Sequence, residues 1–333
     1  MPDRQTAVAT RTPSPRRPAS RRGQKGSMWR RGWLIAVLAV LSALPLLFHR
    51  HVPNSVGNLG SLLDTFLPWV GVAVPILAVA ALVRRSAIAG VALLVPAVVW
   101  GLMFGDLLIP GKGDGGAYDL RVLSHNVDAA NPDPKKTAQD LIAADADVMA
   151  LEEITTADMK IYKAAFAKKY PYEVSRDTVG LWSKYPVAQS ESVDVGFKWT
   201  RALRAEVTTP EGKVAVYVAH LASVRVGTSG FTSGQRNDTI RALGRQIADE
   251  KLAGVIVMGD FNGTANDRSL APLTAGLRSA QGAAGQGFGF TWPAKFPMAR
   301  IDHIMVRGVT PTKAWVMKPT GSDHRPVVAE LRI

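Results

Sequence analysis

Val255-Ile256-Val257-Met258-Gly259-Asp260-Phe261-Asn262 reads as a buried strand running into a polar turn. Four consecutive apolar residues imply a strand covered on both faces. If the extended backbone continues, Asp260 and Asn262, two positions apart, project to the same side. An acid and an amide facing a common point where a strand meets a loop suit metal-assisted phosphate chemistry. Taken alone, Asp-Phe-Asn-Gly is more often a turn than a site.

Outward from this strand, short apolar stretches alternate with helical ones. Strands are expected at 120–127, 148–151, 179–183, 201–207, 213–221, 255–258, 301–306, 314–317 and 327–333, and helices at 135–144, 156–169 and 233–250. So many strands with so few helices favour an α/β fold of two packed sheets flanked by helices over a doubly wound parallel sheet.

Five further motifs sit at strand ends: Ser124-His125-Asn126, Leu151-Glu152-Glu153, His220, Asp302-His303 and Ser322-Asp323-His324. Adjacent strand residues face opposite ways, so only one of Glu152 and Glu153 is expected in a site, with Glu152 pointing away. His220 shares a face with Val214, Val216 and Val218, which fits a core histidine as well as a ligand. Asp302-His303 supplies a carboxylate able to orient an imidazole. All four histidines after residue 110 adjoin one of these motifs, a concentration that solvation alone does not account for.

The residues before this region have a different character. Trp33–Phe48 (16 residues), Thr65–Val83 (19) and Ala87–Gly105 (19) are apolar runs without an interior charge. Runs near ~18 such residues are candidate membrane spans, and these lack the polar stripe of a soluble helix. Residues 1–31 hold nine basic residues against Asp3, net +8, whereas residues 112–333 hold 28 basic and 24 acidic residues, net +4. The expected organisation is a disordered basic cytoplasmic tail at 1–31, a three-helix transmembrane anchor at 32–109, a flexible linker at 110–118 and a catalytic domain at 119–333. The basic tail and Arg84-Arg85 both favour the cytoplasmic side, which places the domain outside the plasma membrane; Arg50 on the outer loop dissents. Absence of cysteine excludes a disulfide framework and any thiolate metal site.

The ordered set Asn126, Leu151-Glu152-Glu153, His220, Gly259-Asp260-Phe261-Asn262, Ile301-Asp302-His303 and Ser322-Asp323-His324 resembles the endonuclease/exonuclease/phosphatase superfamily. The resemblance covers about Asp119–Ile333 and implies a four-layered α/β sandwich, DNase I-like, that hydrolyses phosphate esters with Mg²⁺ or Mn²⁺. It implies Glu153 as metal ligand, Asn126 and Asn262 holding metal or phosphate, and Asp260 orienting or deprotonating water. It further implies His324 paired with Asp302, His220 and His324 on the phosphoryl oxygens, and Asp323 near the metal. Glu152 departs from the Gln of many relatives. With its three spans and outward domain, the chain also resembles the VanJ-type actinobacterial proteins linked to glycopeptide (teicoplanin) resistance, which suggests a lipid-linked phosphate or polyprenyl diphosphate of the cell envelope as substrate.

Substrate class has weaker signals. Arg225 and Arg236, in the stretch after His220, are candidate grips for a second phosphate or plain solvated charges. Phe288, Phe290 and Trp292-Pro293 suit an apolar rim for a lipid tail or ordinary packing. A domain charge of only +4 argues against a nucleic-acid partner, so a tethered nuclease ranks behind a lipid phosphohydrolase, and a non-catalytic binding or sensor domain is the third reading.

Overall fold

A computed structural model describes residues 32–109, 113, 115–228 and 230–333. The expected tail at 1–31 and part of the expected linker, residues 110–112 and 114, lie outside the described residues.

Helices α1 (Trp33–Phe48), α2 (Leu59–Phe66), α3 (Ala73–Val83), α4 (Ala87–Ala92) and α5 (Leu94–Leu108), with short 3-10 segments, form three helices long and apolar enough to cross a membrane: Trp33–His51, Leu59–Val83 and Ala87–Leu108. The second begins at Leu59 rather than at Thr65. Its first turns carry buried Gly60, Ser61, Asp64 and Thr65, which face the following domain, so they escape a search for apolar runs. Pro68 coincides with the 3-10 stretch Leu67–Val72, where an α-helical ladder would lack a donor.

The domain contains β1 (Leu120–Asn126), α6 (Pro134–Ala143), β2 (Val148–Glu152), α7 (Thr156–Phe166), β3 (Tyr172–Arg176), β4 (Val179–Ser183), β5 (Val187–Ser192), β6 (Ala202–Thr209) and β7 (Gly212–Ala219). It continues with the hairpin β8 (Val226–Gly227) and β9 (Gly230–Phe231), then α8 (Gly234–Ala248), β10 (Gly254–Asp260), α9 (Ala271–Thr274), β11 (Arg278–Ser279), α10 (Ala280–Ala284), β12 (Asp302–Arg307), β13 (Thr310–Val316) and β14 (Val327–Arg332). Two six-stranded sheets form, ordered β13-β14-β1-β2-β4-β3 and β11-β12-β10-β7-β6-β5. Among the described residues, the β1–β2 and β10–β7 ladders are parallel and the other ladders within the two sheets are antiparallel.

Alternation builds the layers. Along β10, Ile256 and Met258 enter the core between the sheets, while Val255 and Val257 pack outward against Ile240, Leu243 and Ile247 of α8. On β1, Leu120 and Val122 face inward, and Leu123 faces outward to Leu141 of α6 and Tyr162 of α7. Helix, sheet, sheet and helix thus stack as the four-layered α/β sandwich expected from the sequence.

The apolar helices and the domain touch through specific contacts. Asp64, fully buried, accepts from Arg268 Nε at 2.8 Å and lies 2.7 Å from His49 Nδ1. The Arg268 guanidinium also donates to the carbonyls of Arg50 (2.7 Å), Val52 (2.9 Å) and His49. Ser61 Oγ donates to Asp267 at 3.2 Å, and Trp69 Nε1 to the Met298 carbonyl at 2.8 Å. At the other end of the bundle, Gly32 lies against Ser86, next to Arg84 and Arg85.

Candidate active site

The inward parity that fills the core ends, at one edge of the sandwich, in polar residues. Ile256 and Met258 lead to Asp260; Val122 leads through Ser124 to Asn126; Val216 and Val218 lead to His220; Asp302 heads the inward row of Ile304 and Val306. Three strands from the two sheets therefore deliver Asn126, Asp260 and Asp302 to one opening, and β7 delivers His220 just beyond its end. Gly259 allows their close approach. It takes φ +142°, and a Cβ there would lie 1.9 Å from the Ala219 carbonyl oxygen, so a side chain would force β10 away from β7 and Asp260 away from His220.

The same parity carries Glu152, not Glu153, to the inner face. Contrary to the expectation that it points away, Glu152 is fully buried below the opening, where Ser124 Oγ donates to its Oε1 at 3.2 Å. Burial raises its carboxyl well above the ordinary range, and the charges of Asp302 and Asp260 add to the effect. Glu153 reaches the site differently. It leaves the strand with φ +58°, a conformation rare for a residue with a side chain, and Asn262 does likewise at φ +48°.

Asn126 Nδ2 lies 3.0 Å from both Glu153 Oε1 and Asp260 Oδ2. Asn262 donates to Asp260 twice, from Nδ2 to Oδ2 at 3.0 Å and from the backbone to Oδ1 at 2.8 Å. His220 Nε2 stands 3.3 Å from Glu153 and 3.8 Å from Asp260. Glu153, His220 and Asp260 form one group able to hold a metal ion, and Asp260, Asp302 and His324 form another. A single amide serving two carboxylates marks where positive charge is wanted. Carboxylate and amide oxygens suit a hard divalent cation, and the partial exposure of Glu153 leaves room for retained water.

His324 Nδ1 lies 2.9 Å from Asp302 Oδ2, and its Nε2 faces Asp260 at 3.9 Å and Asp323 at 3.8 Å. Burial alone would favour the neutral imidazole, but Asp302 and Asp260 carry its pKa up to about 10. Burial opposes ionisation of Asp302 as well, and the imidazolium overrides it, holding the carboxyl below its ordinary value. Burial drives Asp260 up to about 7, with His324 opposing. Burial pushes the His220 imidazole well below its ordinary value, and the Arg201 and His324 cations add to the effect. Arg201 Nη2 lies 2.6 Å from His220 Nε2; a guanidinium has only donors, so Nε2 accepts and the ring proton sits on Nδ1.

The structure thus gathers Asn126, Glu153, His220, Asp260, Asn262, Asp302 and His324. Asp323 sits at the rim, half exposed, hydrogen-bonded by Trp292 Nε1 at 3.1 Å and outside both metal-capable groups. Arg225 is exposed beside the β8–β9 hairpin, its backbone bonded to Thr232. The reading of Arg236 as a phosphate grip is corrected: it is wholly buried, with Nη2 on Asp267 at 2.6 Å and Nη1 on the Asn262 carbonyl at 2.8 Å, so it braces the site loop from beneath. The remaining histidines of the domain face outward and are structural: His125 bonds Thr320 at 2.9 Å, and His303 stacks on Phe261 and bonds the Gly263 carbonyl at 2.8 Å. Arg201 was not expected in the site. Directly before β6, it resembles an edge charge, and only its contact with His220, one step beyond the β6–β7 ladder, reveals it.

The chain belongs to the Endonuclease/Exonuclease/phosphatase family, whose model matches residues 123–324. Among solved structures, it is similar to D. rerio TDP2 complexed with single-strand DNA product (23% identity, TM-score 0.56, covering 64% of this chain and 99% of that one). It is also similar to a mannosyl-6-phosphatase of Bacteroides thetaiotaomicron (18%, TM-score 0.53, 64% and 100%) and to beta toxin of Staphylococcus aureus (14%, TM-score 0.52, 63% and 99%). At these identities the likeness is one of fold. No curated protein matches the chain.

Proposed function

We propose that the chain is a membrane-tethered, divalent-metal-dependent phosphohydrolase whose site faces the extracytoplasmic side and acts on a lipid-linked phosphate or diphosphate of the cell envelope. The observation that carries this reading is the convergence of Glu153, Asp260 and His324 at one opening of a domain fastened to three apolar helices. A bound Mg²⁺ or Mn²⁺ supplies neutralisation of charge at the phosphoryl oxygens. Glu153 would hold it, and Asn126, whose Nδ2 bridges Glu153 and Asp260 in this structure, would join by turning its Oδ1 inward, with Asp323 available from the rim.

The protein side chains divide the remaining work. Asn262 fixes the Asp260 carboxylate, whose raised proton affinity suits it to take a proton from attacking water. Asp302 orients His324 through Nδ1, leaving a protonated Nε2 to donate to a phosphoryl or leaving oxygen. Arg201, beside Glu153 and Asp260 in its field, adds a fixed positive charge, and Arg225 is a candidate for a second phosphate.

Topology rests on charge. Gly32, where the basic tail enters, and Arg84-Arg85 lie at one end of the bundle, and the domain docks at the other. With the basic end cytoplasmic, the domain is outside. Phosphatase-reporter activity of a fusion after Ile333 checks this; a reporter active only in the cytoplasm overturns it. A part in glycopeptide resistance, as in the VanJ-type proteins, follows if an envelope lipid intermediate is the substrate, and teicoplanin susceptibility of cells carrying wild type or His324→Ala tests it.

A surface-tethered nuclease is the second reading, favoured by the fold shared with the D. rerio TDP2 solved with single-strand DNA product. The deciding experiment incubates full-length detergent-purified protein and Mg²⁺ with a polyprenyl diphosphate or with plasmid DNA, comparing wild type with His324→Ala. Phosphate release abolished by the substitution, with DNA intact, supports the lipid reading. Nicked DNA with untouched lipid overturns it.

A further inference from the structure

An apolar cleft of about 470 Å³ opens where the helices meet the domain, bounded by Pro68, Trp69, Val72, Pro75, Trp100 and Phe290. Its volume falls within the ~300–1,000 Å³ usual for small-molecule sites. Both walls are aromatic and come from different parts of the chain. Trp69 stacks on Phe290 (5.7 Å between centroids), Phe290 on Phe288 (5.1 Å), and Phe288 meets Trp100 (6.0 Å). The two indole N–H groups are already engaged, Trp69 by the Met298 carbonyl and Trp100 by the Pro68 carbonyl, each at 2.8 Å. What remains toward the cavity is hydrocarbon, which disfavours a sugar, a nucleotide or water.

This cleft is linked to the active site by two peptide bonds. Phe290 lines the cavity, and Thr291 Oγ1 receives the Asp302 backbone N–H at 3.4 Å while its carbonyl receives the Arg325 N–H at 3.0 Å. Trp292 donates to Asp323 beside His324. The Cα atoms of residues 290 and 292 are at most about 7 Å apart. We propose that the cleft binds the hydrocarbon chain of a phosphorylated lipid while the 290–292 segment directs its phosphate into the Glu153–His324 opening. This rests on the lipid-phosphate reading of the site and adds where the chain lies. The occupant is a prenyl or acyl chain bearing a terminal phosphate, because only such a ligand spans an uncharged aromatic cavity and a cation-demanding cluster at once.

The test uses full-length protein in nanodiscs, with farnesyl and isopentenyl diphosphate as long- and short-chain probes. Val72→Trp and Ala97→Phe, each narrowing the cleft from a different helix, should lower the farnesyl-to-isopentenyl ratio of kcat/KM at least about tenfold, the effect of losing roughly two buried methylenes. A ratio, unlike a rate, is unmoved by partial misfolding. An unchanged ratio in both variants overturns the proposal. In parallel, a diazirine-tagged farnesyl diphosphate should crosslink to 68–75 or 97–104 in His324→Ala protein and be competed by farnesyl diphosphate. Competition equally strong from phosphatidylcholine means that the cleft holds ambient lipid only, which also overturns it. Crosslinking without hydrolysis by wild-type protein would uphold the cleft and remove the phosphohydrolase reading.

Discussion

His324 Nδ1 and Asp302 Oδ2 lie 2.9 Å apart, both groups buried and each shifting the other toward its charged form. Asp302→Asn keeps the shape and removes the charge that holds the imidazolium. Activity should fall about 10²- to 10⁴-fold, the usual worth of a positioned proton donor. Rates at neutral pH measured with either proposed substrate check it; a loss below threefold would mean that His324 works without its partner.

The pair also sets a pH dependence of stability. His324 has a folded pKa of about 10 against 6.5 for the free side chain, so its stabilising contribution is complete below about 6.5 and disappears as pH rises toward 10. In EDTA, the thermal midpoint of wild type should therefore decline between pH 7 and 10 more steeply than that of His324→Gln.

Glu152 predicts the opposite of the usual buried-acid substitution. Its folded pKa lies above the ordinary 4.5, so the unfolded chain ionises first and stability drains away as pH rises past that value. Glu152→Gln removes this penalty. The variant should match wild type near pH 4 and melt higher than wild type at pH 7.5, with hydrolysis little changed.

Arg236 and Asp267 are both fully buried and 2.6 Å apart. Arg236→Ala leaves an uncompensated carboxylate, and the expected loss is roughly 3–5 kcal/mol in denaturant unfolding. Substrate KM of the folded fraction should stay near wild type, which is where a phosphate-binding arginine would differ.

Arg201→Ala removes a charged hydrogen bond to His220. A decrease in kcat/KM of about 10- to 100-fold is expected, equivalent to ~1.5–3 kcal/mol. The His220 tautomer should change with it, visible in the imidazole nitrogen shifts by NMR.

How much of this was legible from residues alone depended on how local each signal was. β4 falls where the apolar run Val179–Ser183 puts it, because a central strand announces itself by burial. β3 and β5 carry no such signal. Both are sheet edges, with sequences such as Val187-Ala188-Gln189-Ser190-Glu191-Ser192 that keep polar groups toward water. The site residues on inward rows, Asn126, His220 and Asp260, follow from parity. Glu153 does not, since its entry depends on a positive φ that no pattern encodes. Arg236 and Arg268 were opaque for another reason: their partners are Asp267, 31 residues on, and Asp64, 204 residues back, and charge alone does not name a partner.

Arg268 gathers the Asp64 carboxylate from the second long helix and the carbonyls of His49, Arg50 and Val52 from the end of the first and the residue after it. A domain held by such a grip does not swing on a string. Where the three apolar helices span a bilayer, as proposed above, its mouth keeps one height and one tilt above the lipid, and encounters with a lipid substrate become a search in two dimensions. For a lipid substrate, turnover should then track the mole fraction in the bilayer and ignore dilution of the vesicles, a surface law that Asp64→Asn, by loosening the grip, would blur.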